Sequence, residues 1–360
     1  MSRDKRQVLC GGVPIGGDAP VTIQSMTNTP TADVKATVAQ IRRLTDAGCE
    51  IIRAAVPDMD AADALKEIRR QCPIPLVADI HFDYRLALAA MNAGVDKIRI
   101  NPGNIGEEEN IRRVVEQAKR CRIPIRVGVN SGSLEKHILL RDGGVTAQGL
   151  AESALYNAGL LEKYGFEDIV ISLKSSNVKM NNEAYRIVDR QSPYPLHIGV
   201  TEAGTPVRGK VKSAAGIGAL LLDDIGDTLR VSLTADPVEE VIFARQLLAA
   251  LDIRREGIEI VSCPTCGRTQ VDLERIIAAI EEKLIPVKKR MEEKGARPLK
   301  LAVMGCAVNG PGEARGADIG VACGKGKGVL FADGEIIGQA AEADIPAAVL
   351  RMIEEREQEL

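Results

Sequence analysis

Eight short apolar runs, rich in β-branched residues, recur through the first two thirds of the chain with stretches of helical period between them. The runs are 21–26, 50–56, 75–80, 97–101, 124–129, 168–173, 196–201 and 228–233, and the helical stretches include 31–47, 61–71, 107–120, 146–164 and 178–191. Short β-branched runs closed by Gly or Pro signals read as strands, and apolar spacing of three and four reads as amphipathic helix. A strand–helix beat repeated eight times within about 250 residues has the count and length of a (β/α)8 barrel. An open doubly wound sheet would carry a glycine-rich fingerprint near its first strand, and Gly11-Gly12-Val13-Pro14 does not fit one.

The polar residues support the barrel. The runs lead into Gln24-Ser25, Arg53, Asp79 with His81, Arg99 with Asn101, Arg126 with Asn130, Ser172 with Lys174, Thr201-Glu202, and Arg230 with Ser232. In a (β/α)8 barrel every C-terminal strand end opens onto one mouth, so these side chains are expected to converge. Arg53, Arg99, Arg126, Lys174 and Arg230 would face Asp79 and Glu202, an excess of cations suited to phosphate oxygens. A small phosphorylated or diphosphorylated substrate follows, with Asp79, His81 and Glu202 as candidates for proton transfer. His81 reads equally well as an imidazole simply hydrogen-bonded at a strand end.

Charge and composition exclude other classes. The formal net charge of −3 gives no overall basic field for nucleic acid, and four Phe, five Tyr and no Trp leave little to stack on bases. No apolar run is long enough for a membrane span, and Met1-Ser2-Arg3-Asp4-Lys5-Arg6 has no apolar region behind it, so a cytoplasmic protein is expected.

After a helix over 237–251 the beat changes. Short strands at 258–262, 300–304, 318–322 and 329–332, a helix over 271–284 and a terminal helix from Ile345 describe a small α+β module. The expected domains are 1–252 and 253–360, joined by a short charged linker near 252–257. Cysteines fall at 10, 49, 72, 121, 263, 266, 306 and 323; without an export signal a disulfide framework is not expected. Cys49, Cys72 and Cys121 lie in apolar or helical surroundings and read as small buried hydrophobes. Cys263, Cys266 and Cys306 sit instead on Gly/Pro-rich loops after short strands. Zinc asks for a second CxxC or paired His, and no His follows His197; a thioredoxin-like CxxC would open a helix early in the chain. Iron–sulfur ligation fits three thiolates plus a fourth ligand, with Cys323, Glu313 or a substrate open for that place. The CxxxCxxC triplet of radical S-adenosylmethionine chemistry is absent.

The pairing of Cys263-Pro-Thr-Cys266-Gly-Arg-Thr with Cys306-Ala-Val-Asn-Gly-Pro-Gly-Glu313 closely resembles the bacterial 4-hydroxy-3-methylbut-2-enyl diphosphate synthase family, in its compact two-domain form. Gln24-Ser25-Met26-Thr27-Asn28-Thr29, Asp79-Ile80-His81-Phe82, Arg99-Ile100-Asn101-Pro102-Gly103-Asn104 and Thr201-Glu202-Ala203-Gly204 are similar to that family's other blocks. The resemblance implies a TIM barrel followed by a small α+β domain with a [4Fe–4S] cluster on Cys263, Cys266, Cys306 and Glu313, leaving Cys323 a bystander. It implies reductive ring opening of 2-C-methyl-D-erythritol 2,4-cyclodiphosphate in isoprenoid precursor synthesis, with reduced flavodoxin or ferredoxin as donor and a homodimer as the assembly. Arg53, Arg99, Asn101, Arg126, Asn130, Lys174, Arg230 and Ser232 would bind substrate, and Glu202, supported by Asp79 and His81, would deliver a proton. Two other readings compete: a non-redox diphosphate-binding barrel transferase with a structural zinc module, and a non-enzymatic iron–sulfur carrier.

Overall fold

The computed structural model describes residues 5–254, 257–294, 296–306 and 308–359, and packing divides the chain into two units, 1–251 and 252–360. Two residues of the expected linker, Arg255 and Glu256, lie outside the described residues.

The first unit opens with an antiparallel hairpin, β1 (Val8–Cys10) and β2 (Val13–Ile15). Its Cys10 and Ile15 bury against Ile51 and Val77, early residues of two barrel strands, and so plug the N-terminal end of the barrel. Eight strands follow: β3 (Thr22–Met26), β4 (Ile51–Val56), β5 (Leu76–Ile80), β6 (Lys97–Ile100), β7 (Ile125–Asn130), β8 (Ile169–Lys174), β9 (His197–Ile198) and β10 (Thr228–Leu229). Their order is β8-β7-β6-β5-β4-β3-β10-β9, all parallel, and a bridge from Ile171 to Leu196 brings β8 beside the chain entering β9. This is a nearly closed (β/α)8 barrel.

Around it lie α1 (Val34–Asp46), α2 (Met59–Gln71), α3 (Tyr84–Asn92), α4 (Glu108–Cys121), α5 (Lys136–Asp142), α6 (Ala147–Glu162), α7 (Val178–Gln191), α8 (Pro206–Leu222) and α9 (Pro237–Ala250). Most start at an Asp, Asn or Thr whose side chain takes up a free backbone N–H, as Asp58 does from Ala61 at 2.9 Å and Asn177 from Met180 at 3.1 Å. The period-two alternation then sorts the strands. Ile52, Ala54, Ala78, Ile80, Ile98, Ile100, Val127 and Ile171 join the helices in one core. The alternate positions, Gln24, Arg53, Asp79, Lys97, Arg99, Arg126, Ser172 and Lys174, therefore face the barrel axis, and all are buried.

Strands β9 and β10 are shorter than the runs suggest. Beyond Ile198 the chain packs so closely that a Cβ on Gly199 would lie 2.6 Å from the Arg230 carbonyl oxygen, and Glu202 takes φ +50°, outside extended backbone. One further bond, Arg230 N–H to the Ile198 carbonyl at 3.0 Å, ends that ladder.

The second unit is a five-stranded sheet in chain order: β11 (Ile258–Ser262), β12 (Leu299–Met304), β13 (Ile319–Gly324), β14 (Lys327–Ala332) and β15 (Glu335–Ala341). The first three strands are parallel and the last two antiparallel. Helices α10 (Leu273–Lys294) and α12 (Ile345–Glu359) share its core, and the short α11 (Gly310–Arg315) follows β12. Helix α10 outruns the expected 271–284 because Ile276, Ile280, Leu284, Val287 and Met291 keep a buried helical stripe through Pro286. Strand β15 escapes sequence reading because it is an edge strand with no buried residue to set an alternation. Among the described residues no helix is long and apolar enough to cross a membrane.

Candidate active site

Asp79, on β5, is the hub of the barrel interior. Its carboxylate lies 3.3 Å from Arg99 Nη1, 3.8 Å from Arg53 Nε and 3.6 Å from His81 Nε2. Arg99 Nη1 is also 3.3 Å from His81 Nε2, and Arg99 Nη2 donates to the Gly128 carbonyl at 3.2 Å. Gly128 is required by this arrangement: a Cβ there would stand 2.2 Å from Arg99 Nε. Burial alone would raise the Asp79 carboxyl, but Arg53, the His81 hydrogen bond, Arg99 and Arg126 outweigh it and hold it far below the usual carboxylate range.

The other cations have fewer partners. Arg53 rests its Nε and Nη2 on the Met26 sulfur at 3.2 and 3.0 Å. Arg230 reaches the same sulfur at 3.6 Å and pairs with Glu240 of α9 at 3.4 Å. Burial drives the Lys174 ammonium well below its normal range, and Arg53, Arg230, Arg126 and Arg99 add to the effect. Among the described residues, Arg126 Nε and Nη1, Arg99 Nε, Arg230 Nε, Lys97 Nζ, both His197 ring nitrogens and both polar atoms of Gln24 are buried without a hydrogen-bond partner. Unpaired buried donors are costly, and a set this size in one barrel is the signature of a site that awaits acceptors.

The remaining expected residues are spread around the mouth. Asn130 ends β7, and Ser232 follows β10 half-buried. Asn101 is buried and its Oδ1 accepts from Gly103 N–H at 3.2 Å, which gives it a structural task in capping the turn Pro102–Asn104. Glu202 and His81 are exposed. Phe82, next to His81, is exposed at φ +62°, and the Asp83 N–H donates to the His81 carbonyl across it at 2.7 Å. A bulky residue at the centre of such a γ-turn is strained, and this one stands at the mouth.

Three polar residues escape a reading based on where apolar runs end. Lys97 and His197 lie at strand starts, and Glu240 lies on a helix. Alternation could have found Lys97, which shares its face with Arg99.

In the small unit the thiols sit on two loops joined by the backbone. Gln270 N–H donates to the Gly305 carbonyl at 3.1 Å, and Gly305 N–H donates to Cys263 Sγ at 3.1 Å. The Arg268 backbone N–H and its guanidinium lower the Cys266 thiol. The backbone N–H groups of Asn309, Val308 and Gly310 lower Cys306, with help from Arg268. Donors converging on sulfur favour thiolate, the form that ligates metal, so these residues fit an iron–sulfur cluster. Cys323 differs: fully buried on β13 and, among the described residues, with no such donors, its thiol is pushed up to about 12 by burial and then by Glu342 and Cys263. Glu313 is exposed on α11. Among the described residues no three His, Cys, Asp or Glu side chains are grouped closely enough to hold a metal ion.

Residues 5–245 match the GcpE TIM-barrel domain, and residues 259–355 match the GcpE protein C-terminal domain. A relative from Fusobacterium nucleatum subsp. nucleatum, named 4-hydroxy-3-methylbut-2-en-1-yl diphosphate synthase (flavodoxin), is 55% identical over 99% of this chain and 98% of its own. Proteins of the same name from Clostridium perfringens and Geobacter sulfurreducens are 55% and 52% identical, each over 98% of this chain and over 99% and 98% of their own. Among solved structures, dihydropteroate synthase from Stenotrophomonas maltophilia superposes with a TM-score of 0.51 at 14% identity, over 69% of this chain and 98% of that one, a likeness of fold alone.

Proposed function

The chain belongs to the GcpE family, and from that premise we propose that it converts 2-C-methyl-D-erythritol 2,4-cyclodiphosphate to (E)-4-hydroxy-3-methylbut-2-enyl diphosphate. The balance is one cyclic diphosphate, two electrons and two protons in, one allylic alcohol diphosphate and one water out. The observation that carries the reading is the buried barrel interior, where unpaired cationic donors surround the Asp79 network. A diphosphate supplies the acceptors that Arg99, Arg126 and Arg230 lack, and Arg forks suit its oxygens.

Arg53, Arg99, Arg126, Lys174 and Arg230 would clamp the diphosphate, with Asn101, Asn130 and Ser232 at its edges. Asp79, kept ionised by its neighbours, holds Arg53 and Arg99 in place and orients His81. Fixed in this way, the cations stabilise the charge that builds on the departing diphosphate oxygen without having to reorganise. Exposed at the mouth, Glu202 would carry the proton to the departing hydroxyl. Cys263, Cys266, Cys306 and Glu313 would hold a [4Fe–4S] cluster, the carboxylate being the weaker ligand. When bound, that group supplies single electrons at low potential. Reduced flavodoxin, which the relatives' names carry, is the proposed donor, and ferredoxin is the alternative; a homodimer is the proposed assembly and the cytoplasm its compartment.

The test is made on protein purified without oxygen: iron and acid-labile sulfide per chain, and optical spectra before and after adding the cyclic diphosphate with a reductant. About four of each per chain, a spectrum that responds to the cyclic diphosphate, and electron consumption dependent on it are expected. Zinc in place of iron, or iron indifferent to the cyclic diphosphate, would overturn the reading.

A further inference from the structure

The barrel interior holds more basic side chains than its carboxylates can pair. Six basic side chains, Arg53, Lys97, Arg99, Arg126, Lys174 and Arg230, face two carboxylates, Asp79 and Glu240. Guanidinium groups do not shed their protons, so any adjustment of charge falls to Lys97, Lys174 and His197. Lys97 lies deepest of the strand cations. It sits one inward position before Arg99 on β6, level with Val77 of β5, above the plug made by Cys10 and Ile15. It is fully buried, and its Nζ has no hydrogen-bond partner among the described residues.

The groups that act on Lys97 from the neighbouring elements are Cys10 of β1, Arg126 of β7 and Arg53 of β4, and His197 of β9 feels Lys97 in turn. Asp79 is already engaged with Arg53, Arg99 and His81. Asp96, next in sequence, is engaged with Arg69 and the Leu76 N–H. Neither of these carboxylates is therefore left to favour the ammonium form.

From this arrangement we propose that Lys97 is a proton-binding site linked to the substrate anion: it takes up a proton as the cyclic diphosphate enters and releases it as the product diphosphate leaves. Lys97 is thus a positioning residue, acting on the ligand through the field of the interior and not by contact. Burial holds the Lys97 ammonium down to about 8, with Arg126 and Arg53 opposing Cys10. An anion above it works in the other direction and raises it. The sign follows: tight binding persists below the free-protein value and weakens as pH rises through it, until the raised bound-state value is passed. His197, which burial and then Arg126, Lys174 and Lys97 keep neutral, stays a spectator in this range.

The inference rests on the cyclic diphosphate being the ligand. That ligand is a convenient probe, because each phosphorus carries one strongly acidic oxygen and nothing on it titrates between about pH 6 and 10. The experiment is calorimetry of the cyclic diphosphate binding to the anaerobic holoenzyme, in buffers of different ionisation enthalpy at pH 8, together with affinity from pH 6.5 to 9.5. Wild type should take up roughly half a proton per ligand at pH 8 and lose up to about tenfold in affinity per pH unit above it. Lys97→Arg, which cannot titrate, should bind as wild type does at pH 7 with the Lys97 share of the uptake gone and a flatter profile above pH 8, any uptake it keeps belonging to Lys174, whose ammonium burial also holds down. Lys97→Met should bind on the order of tenfold more weakly at pH 7 and converge with wild type at pH 9.5. Should Lys97→Met fail to fold, the arginine variant and wild type decide the matter. Binding without proton uptake, or uptake unchanged in Lys97→Arg, overturns the proposal. No binding of the cyclic diphosphate at any pH would instead remove the substrate reading on which it stands.

Discussion

The barrel interior and the thiol loops solve opposite problems. In the barrel, side chains on rigid strands supply donors and positive charge, and acceptors are what is missing: among the described residues, Arg126 Nε and Nη1 and Lys97 Nζ are buried with no hydrogen-bond partner. In the small unit, the side chains are the acceptors, and the donors around them are mostly backbone N–H groups, from Gly305 to Cys263 and from Asn309, Val308 and Gly310 to Cys306, with the Arg268 guanidinium beside Cys266. The first arrangement is preset for an anion. The second is preset to hold negative sulfur against an electrophilic metal. Charge in one place is a matter of which residues stand on which strand; in the other it is a matter of how two loops bend.

The two designs should fail differently. Cys306→Ser removes a soft ligand and leaves its N–H donors facing a hydroxyl. It should strip most of the iron and lower turnover by on the order of 10³ or more, while the circular dichroism of the fold and binding of the cyclic diphosphate change little. Metal content, turnover and ligand binding measured on one preparation check this; iron retained at the wild-type level would break the comparison.

Asp79→Asn should do the reverse. It leaves Arg53 and Arg99 buried without their counter-ion, a change that costs roughly 3–5 kcal/mol when a buried pair is broken. The melting temperature should fall by about 10 °C and kcat/KM by on the order of 10², with iron content intact. The folded-state carboxyl is depressed, so its contribution to stability is fully present above the unfolded value near pH 4 and is lost as pH falls toward the folded value. Chemical denaturation of wild type and variant between pH 7 and 3 should therefore show the gap between them closing on the acid side; a gap constant with pH would sink the assignment of Asp79 as the hub.

The same contrast explains what could be read from the amino-acid order. The barrel was legible because its alternation of Ile, Val and charge has a period that sequence shows directly, and the residues at run ends included Arg53, Asp79 and Arg99. Lys97 and His197 were passed over because a reading fixed on run ends discards run beginnings, and Glu240 because it reaches Arg230 from a helix. The shortness of β9 depends on the close approach of Gly199 to the Arg230 carbonyl, a contact between residues 31 apart that no local pattern records. In the small unit the sequence pointed to three thiols but not to their cradle, since backbone donors have no letter of their own. That is why the spacing alone left Cys323, Glu313 or a substrate open as the fourth ligand.

Cys323 offers the smallest and sharpest test. It belongs to the same sheet as the loops that carry the other thiols and feels the charge of Cys263, yet it faces the apolar core shared by α10 and α12. A ligand needs to ionise; here burial pushes the thiol to about 12, while donors lower Cys266 and Cys306. Cys323→Ala should thus keep wild-type iron, spectrum and turnover within about twofold, and cost only about 1 kcal/mol of stability from the small void it leaves. Glu313→Ala, tested beside it, should keep a cluster but lose turnover. If instead the Cys323 variant loses iron and the Glu313 variant does not, the fourth ligand is a core thiol, and the division between side-chain chemistry in the barrel and backbone-cradled sulfur in the small unit no longer holds.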